Sequence, residues 1–219
     1  PEIRTRRNVL GSQITQIFER WRRECGRTYD DWYVEEAMAF GPTVLKEYLR
    51  YERQLGRIMS GAEAVSIETL FGPVITDLVN DARFILEERN VSGDHWGKIF
   101  AYFTSTRVAN LPFCRIGSLM WAGLARQAAK GGRLKPPSRG MALDIDTIEV
   151  LLPYCDAMFL DVECYHILSE NPTRDRLDVL TRLFSLRNKS DFLSYLDSIE
   201  TSASTQHLNA VREVYGEID

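Results

Sequence analysis

Apolar positions recur at intervals of three and four along most of this chain, and that spacing predicts helices. Ile14, Ile17, Phe18 and Trp21 form one such stripe, which predicts a helix from about Asn8 to Glu24. A second helix starts near Asp30 and Asp31 and carries Trp32, Val34, Ala37 and Met38. Gly41-Pro42 is expected to interrupt it, with Pro42 as a first-turn residue of a further piece running to about Ile58. Glu63 to Glu88 reads as helix divided at Gly72-Pro73 in the same way. Asp94 stands where a cap is wanted before Trp96, Ile99, Phe100 and Phe103. Cys114 to Ala129 is a further helix with Ile116, Leu119, Met120, Trp121 and Leu124 inward.

The pattern changes after Gly131 to Gly140, a Gly- and Pro-rich run that reads as a loop and as the best boundary in the chain. Beyond it, Asp146 to Tyr154 suits a short helix and Val162 to Ser169 another. Ala157 to Leu160 is a short apolar run expected to be a buried strand, and Arg182 to Ser185 a second strand. Ser190 to Ile199 and Thr205 to Tyr215 close the chain as helices. The order helix, strand, helix, strand, helix is that of an α/β unit. The expected fold is therefore predominantly α, with a helical region over residues 1–130 and a small parallel α/β unit over 131–219.

Composition narrows the class. Of 219 residues, 44% are hydrophobic and 26% charged, as in ordinary globular proteins. A net charge of −4 creates no global basic field, so attraction to nucleic acid has to be local. No apolar stretch of about 20 residues spans a membrane, and no signal-peptide pattern occurs. The chain opens at Pro1 rather than at a methionine, which fits a fragment, or a disordered or processed start. Cys25, Cys114, Cys155 and Cys164 lack zinc-type spacing and read as thiols of a reducing, cytoplasmic setting.

Charge does separate locally. From Ala101 to Gly140 there are seven cations (Arg107, Arg115, Arg126, Lys130, Arg133, Lys135 and Arg139) and no Asp or Glu. From Met141 to Cys164 there are six acids (Asp144, Asp146, Glu149, Asp156, Asp161 and Glu163) and no Lys or Arg. Cations beside carboxylates suit a phosphate-bearing substrate and a hard divalent ion. Mutual neutralisation at the surface is the plainer explanation.

Geometry favours the first reading. A helix leading into a strand runs antiparallel to it, and a nine-residue helix (about 13 Å) matches a five-residue strand (about 16 Å). Asp144 or Asp146, before the helix, should then approach Asp161, which ends the strand, at the carboxyl edge where open α/β sheets bind ligands. Asp146 and Glu149 also make a D-x-x-E capping box, Asp161 can cap the helix from Val162, and Asp156 can end a turn. Asp144 has no such local role and stands out first.

The segments Lys135-Pro136-Pro137-Ser138, Asp144 to Ile148, and Leu152-Pro153-Tyr154-Cys155-Asp156-Ala157-Met158-Phe159-Leu160-Asp161 resemble the C-terminal half of bacterial PIN-like domain proteins. Leu183-Phe184-Ser185 and Phe192 to Leu196 resemble that family's last strand and helix, so the likeness spans roughly residues 133–200. The resemblance implies a Mg²⁺- or Mn²⁺-dependent nuclease, usually of RNA. Asp144 and Asp161 match metal-binding acids, and Asp156 a frequent catalytic companion. Arg133, Lys135 and Arg139 are the expected nucleic-acid contacts. The family also supplies an acid from an opening strand, for which Val74-Ile75-Thr76-Asp77 is the nearest imitation, and one from an early helix, for which Glu35 or Glu36 could serve. The competing function is a non-catalytic helical module that binds a protein or nucleic acid. A hydrolase built on His95, His166 or His207 has no motif to support it.

Overall fold

In the computed structural model, which describes residues 2–65 and 75–216, helices carry the chain and two short strands pair near its C-terminal end. Helix α1 spans Glu2–Arg23 and α2 Tyr29–Met59. They are followed by α3 (Ile75–Glu88), α4 (His95–Phe103) and α5 (Pro112–Ala129). Then come α6 (Arg139–Leu151), β1 (Ala157–Phe159), α7 (Val162–Ser169) and the single turn α8 (Thr173–Arg176). Strand β2 (Arg182–Phe184), α9 (Lys189–Ser202) and α10 (Thr205–Tyr215) complete the order. No helix among the described residues is long and apolar enough to cross a membrane.

Helix α2 departs from the sequence pattern in an instructive way. Thr28 and Asp31 open it as a reciprocal capping box. It then runs through Gly41 and Pro42 without a break. Proline costs a helix one hydrogen bond, but here each half of the helix is anchored in a different core. Trp32 packs in one, while Val44, Leu45 and Tyr48 pack in the other. Gly41 serves close approach instead of a turn: a Cβ there would lie 1.8 Å from the Phe103 carbonyl oxygen at the end of α4. The Gly72-Pro73 division falls outside the described residues.

The larger core centres on α5, which is buried nearly all round, as expected of a helix covered on every side. Phe18 and Trp21 of α1, Tyr29 and Trp32 of α2, Met141, Ile145 and Ile148 of α6, and Cys164, Ile167 and Leu168 of α7 close over it. This core takes side chains from both sides of the 131–138 loop, so the loop does not divide two cores. The smaller core joins the second half of α2 to α3 and α4 through Val79, Ile99 and Phe103.

Strands β1 and β2 are parallel, in the register Ala157↔Arg182, Met158↔Leu183 and Phe159↔Phe184. Leu160 N donates to Phe184 O (2.7 Å) and Arg182 N to Asp156 O (3.0 Å), which extends the ladder at both ends. Met158 and Leu183 pack against the larger core. Phe159 and Phe184 turn to α9, where Phe192 meets both rings at 5.1 and 5.3 Å. The alternation of faces is the period-two signature of a strand, but β1 is half-buried to exposed and not the buried strand expected, because α9 covers Phe159 only in part.

Candidate metal centre

Ser138 is the cap of α6: its hydroxyl accepts from Met141 N at 3.0 Å. The helix therefore begins seven residues before Asp146, and the capping box expected of Asp146 and Glu149 is not what starts it. Asp144 lies within α6, on an exposed side next to buried Ile145. Its approach to Asp161 comes from the face it occupies, and the expected position before the helix is corrected.

Asp161 follows β1 by two residues and caps α7. Its Oδ1 accepts from Glu163 N at 2.6 Å and Cys164 N at 3.0 Å. Burial works against its charge, but hydrogen bonds from the Cys164 thiol and these two amides outweigh that and hold the carboxyl below its usual range. Cys164 is fully buried. Burial, then its bond to Asp161 and the negative charges of Asp161, Asp144 and Glu163, push its thiol upward, so it is an S–H donor to the carboxylate.

One oxygen from each of Asp144 and Asp161 and the Cys164 sulfur lie within 4.8 Å of one another. The two acids line a groove of about 320 Å³ together with Thr147, Ile148 and Leu151 of α6 and Met158 to Leu160. The two acids are exposed and the thiol is beneath them. The cap uses one oxygen of Asp161, Oδ1. Two carboxylates so placed repel each other, and a shared divalent cation relieves the repulsion.

Other predicted residues lie elsewhere. Asp156 precedes β1, at the opposite end of the strand from Asp161. It lines a different cleft of about 610 Å³ with Arg115, Tyr154, Cys155, Asp178 and Thr181. Glu149 lies against α5, where Gly117 makes room for it. Burial, reinforced by Asp146, raises its carboxyl to about 8. Glu35 is engaged by Arg20 and Arg27. Glu36 is raised by burial and by Glu35. Val74 falls outside the described residues, and Thr76 and Asp77 belong to helix α3.

The three cations differ from one another. Arg133 is mostly buried; its guanidinium pairs with Glu163, beside Asp161, and touches the Met141 sulfur. Lys135 is exposed on the loop, and Arg139 is the first residue of α6. The Nε atoms of Arg133 and Arg139 are buried without a hydrogen-bond partner among the described residues.

The residue that sequence reasoning missed is Cys164. The available signal was spacing: an N-cap bonds to the amide three residues on, so Asp161 and Cys164 meet at the first turn. Comparison of the chain with protein-family models, with curated proteins and with solved structures finds no match.

Proposed function

We propose that this chain carries the metal-binding part of a Mg²⁺- or Mn²⁺-dependent nuclease of PIN-like type that acts on RNA in a reducing, cytoplasmic setting. The observation that carries the reading is the convergence of the exposed Asp144 and Asp161 carboxylates in one groove. The donor set supports it: two exposed carboxylates are hard oxygen ligands of the kind these ions take. When bound, such an ion supplies an activated water and a counter-charge for phosphodiester hydrolysis. Asp144 and Asp161 hold it, and Asp161 is oriented by the amides at the start of α7. Lys135 and Arg139 are the cations available to phosphate, while Arg133 is tied to Glu163. Asp156 has no part at this point of the molecule. Four free cysteines among the described residues fit the reducing setting.

The competing module reading draws on one feature, the use of Asp161 as a helix cap. Melting curves of wild type and Asp161→Asn, each with and without Mg²⁺ or Mn²⁺, separate the two. Asn caps nearly as well as Asp, so the metal-free proteins should melt within a few degrees of each other. At about 100 times its Kd, the ion should stabilise wild type alone by about 2.7 kcal/mol. Cleavage of a single-stranded RNA should vanish in the variant. Equal metal responses in the two proteins would remove the metal site, and the nuclease with it.

A further inference from the structure

The third member of the cluster is not an oxygen. Cys164 is fully buried, its sulfur lies within 4.8 Å of both carboxylate oxygens, and it belongs to the larger core. A cation drawn in by Asp144 and Asp161 therefore meets a soft donor on its inner side. A hard ion has little affinity for sulfur and keeps water as its remaining ligands. A borderline or soft ion prefers thiolate, at about 2.3 Å for zinc, with carboxylate oxygen at about 2.0–2.2 Å. In tetrahedral geometry two such bonds hold sulfur and oxygen about 3.5–3.7 Å apart, so donors that lie within 4.8 Å of one another close on the ion with a movement of about an ångström, made by the two exposed carboxylates.

Resting on the metal-site reading above, we propose that Cys164 makes the centre selective by metal class: Zn²⁺ and Cd²⁺ are captured as a three-donor Asp144–Asp161–Cys164 complex, whereas Mg²⁺ and Mn²⁺ bind the carboxylates alone. The exchange balances simply. The S–H bond breaks, its electron pair forms the metal–sulfur bond, and one proton passes to the solvent. No oxidation occurs. Drawn inward by sulfur and held by three protein donors, Zn²⁺ or Cd²⁺ has fewer open positions for water and phosphate, so it blocks the centre.

The test is a Cd²⁺ titration followed by the ultraviolet sulfur-to-cadmium charge-transfer band, with no nucleic acid present. Cys164→Ser keeps the size and a hydroxyl donor for Asp161 while removing the soft ligand. A companion protein with Cys25, Cys114 and Cys155 all changed to Ser removes the other thiols; circular dichroism establishes that both are folded. The band should appear in wild type and in the companion and be absent from Cys164→Ser. The Cd²⁺ affinity of Cys164→Ser should fall about 100-fold, with its Mg²⁺ melting response unchanged. A band that survives in Cys164→Ser, or none in wild type, overturns the inference. A Mg²⁺ response without a cadmium band would sink this inference and spare the nuclease reading. A cadmium band without any Mg²⁺ response would overturn the nuclease reading and, with it, the selectivity proposed here.

Discussion

Glu149 shows how much a single side chain can depend on its neighbour's lack of one. A Cβ on Gly117 would lie 1.8 Å from its Oε2, so the carboxyl rests directly on α5, where burial and Asp146 raise it to about 8 from an ordinary 4.5. Between those values the folded protein holds a proton that the unfolded chain has released. Stability therefore falls as pH rises through this window and is lowest above the folded value. Urea midpoints at about pH 5 and pH 9 should show wild type losing on the order of 3 kcal/mol relative to Glu149→Gln, which stays neutral throughout. Parallel pH profiles would show that the carboxyl is solvated. Glycine substitutions extend the point. Gly117→Ala meets only the movable end of Glu149, whereas Gly41→Ala drives a methyl into the Phe103 backbone. Gly41→Ala should cost about 3 kcal/mol and Gly117→Ala distinctly less, by urea denaturation at about pH 7.

Elements were legible wherever the apolar spacing was unambiguous. Both strands, their parallel sense and the helix between them follow from Ala157–Leu160, Val162–Ser169 and Arg182–Ser185. Boundaries were lost where a local motif competed with that spacing. Gly41-Pro42 reads as punctuation, yet packing on both sides carries α2 across it. Asp146 and Glu149 mimic a capping box, although Met141, Ile145, Ile148 and Leu152 already mark a helix face that starts earlier. Ser138 supplies the real cap, so Ser138→Ala should destabilise the protein by about 1 kcal/mol while Asp146→Ala leaves α6 intact, as read by thermal melting and far-ultraviolet circular dichroism. A larger loss from Asp146→Ala than from Ser138→Ala would put the start of the helix at Asp146 instead. For the candidate centre, the expectation that Asp144 approaches Asp161 rested on a helix start that lies at Arg139 instead, and the two come together through the face of α6 that Asp144 occupies. Cys164 was not legible, because a buried thiol in an apolar helix reads as core until the cap geometry places it under the carboxylates.

At the scale of the molecule the question is what the segregated charge does. Seven cations precede six acids in sequence, and part of that contrast is consumed internally. Arg133 bridges the two blocks through Glu163, Arg126 donates to the Asn171 carbonyl, and Arg115 donates to the Arg176 carbonyl and pairs with Asp178. The charges of Arg133 and Arg115 are met by carboxylates, whereas Arg126 is held in place by a neutral carbonyl. Lys135 is exposed and shows no ion pair among the described residues, and Arg139 stands at the start of α6, where the helix dipole adds to its field. If RNA is held beside Asp144 and Asp161, these two bind its phosphates, and Arg133 acts through the fold. Lys135→Gln with Arg139→Gln should therefore weaken binding of a single-stranded RNA and flatten log K against log salt by about 0.7 for each phosphate that the protein no longer neutralises. Arg133→Gln should instead lower the melting temperature, because it leaves Glu163 unpaired next to the Asp161 cap, and should change the salt slope little. The assay is a fluorescence-anisotropy titration of the three proteins across a salt series, with Ca²⁺ or no metal so that the strand stays intact. A salt slope that drops for Arg133→Gln but not for the double variant would move phosphate binding to Arg133. A slope equal in all three would leave these cations without a role in holding RNA.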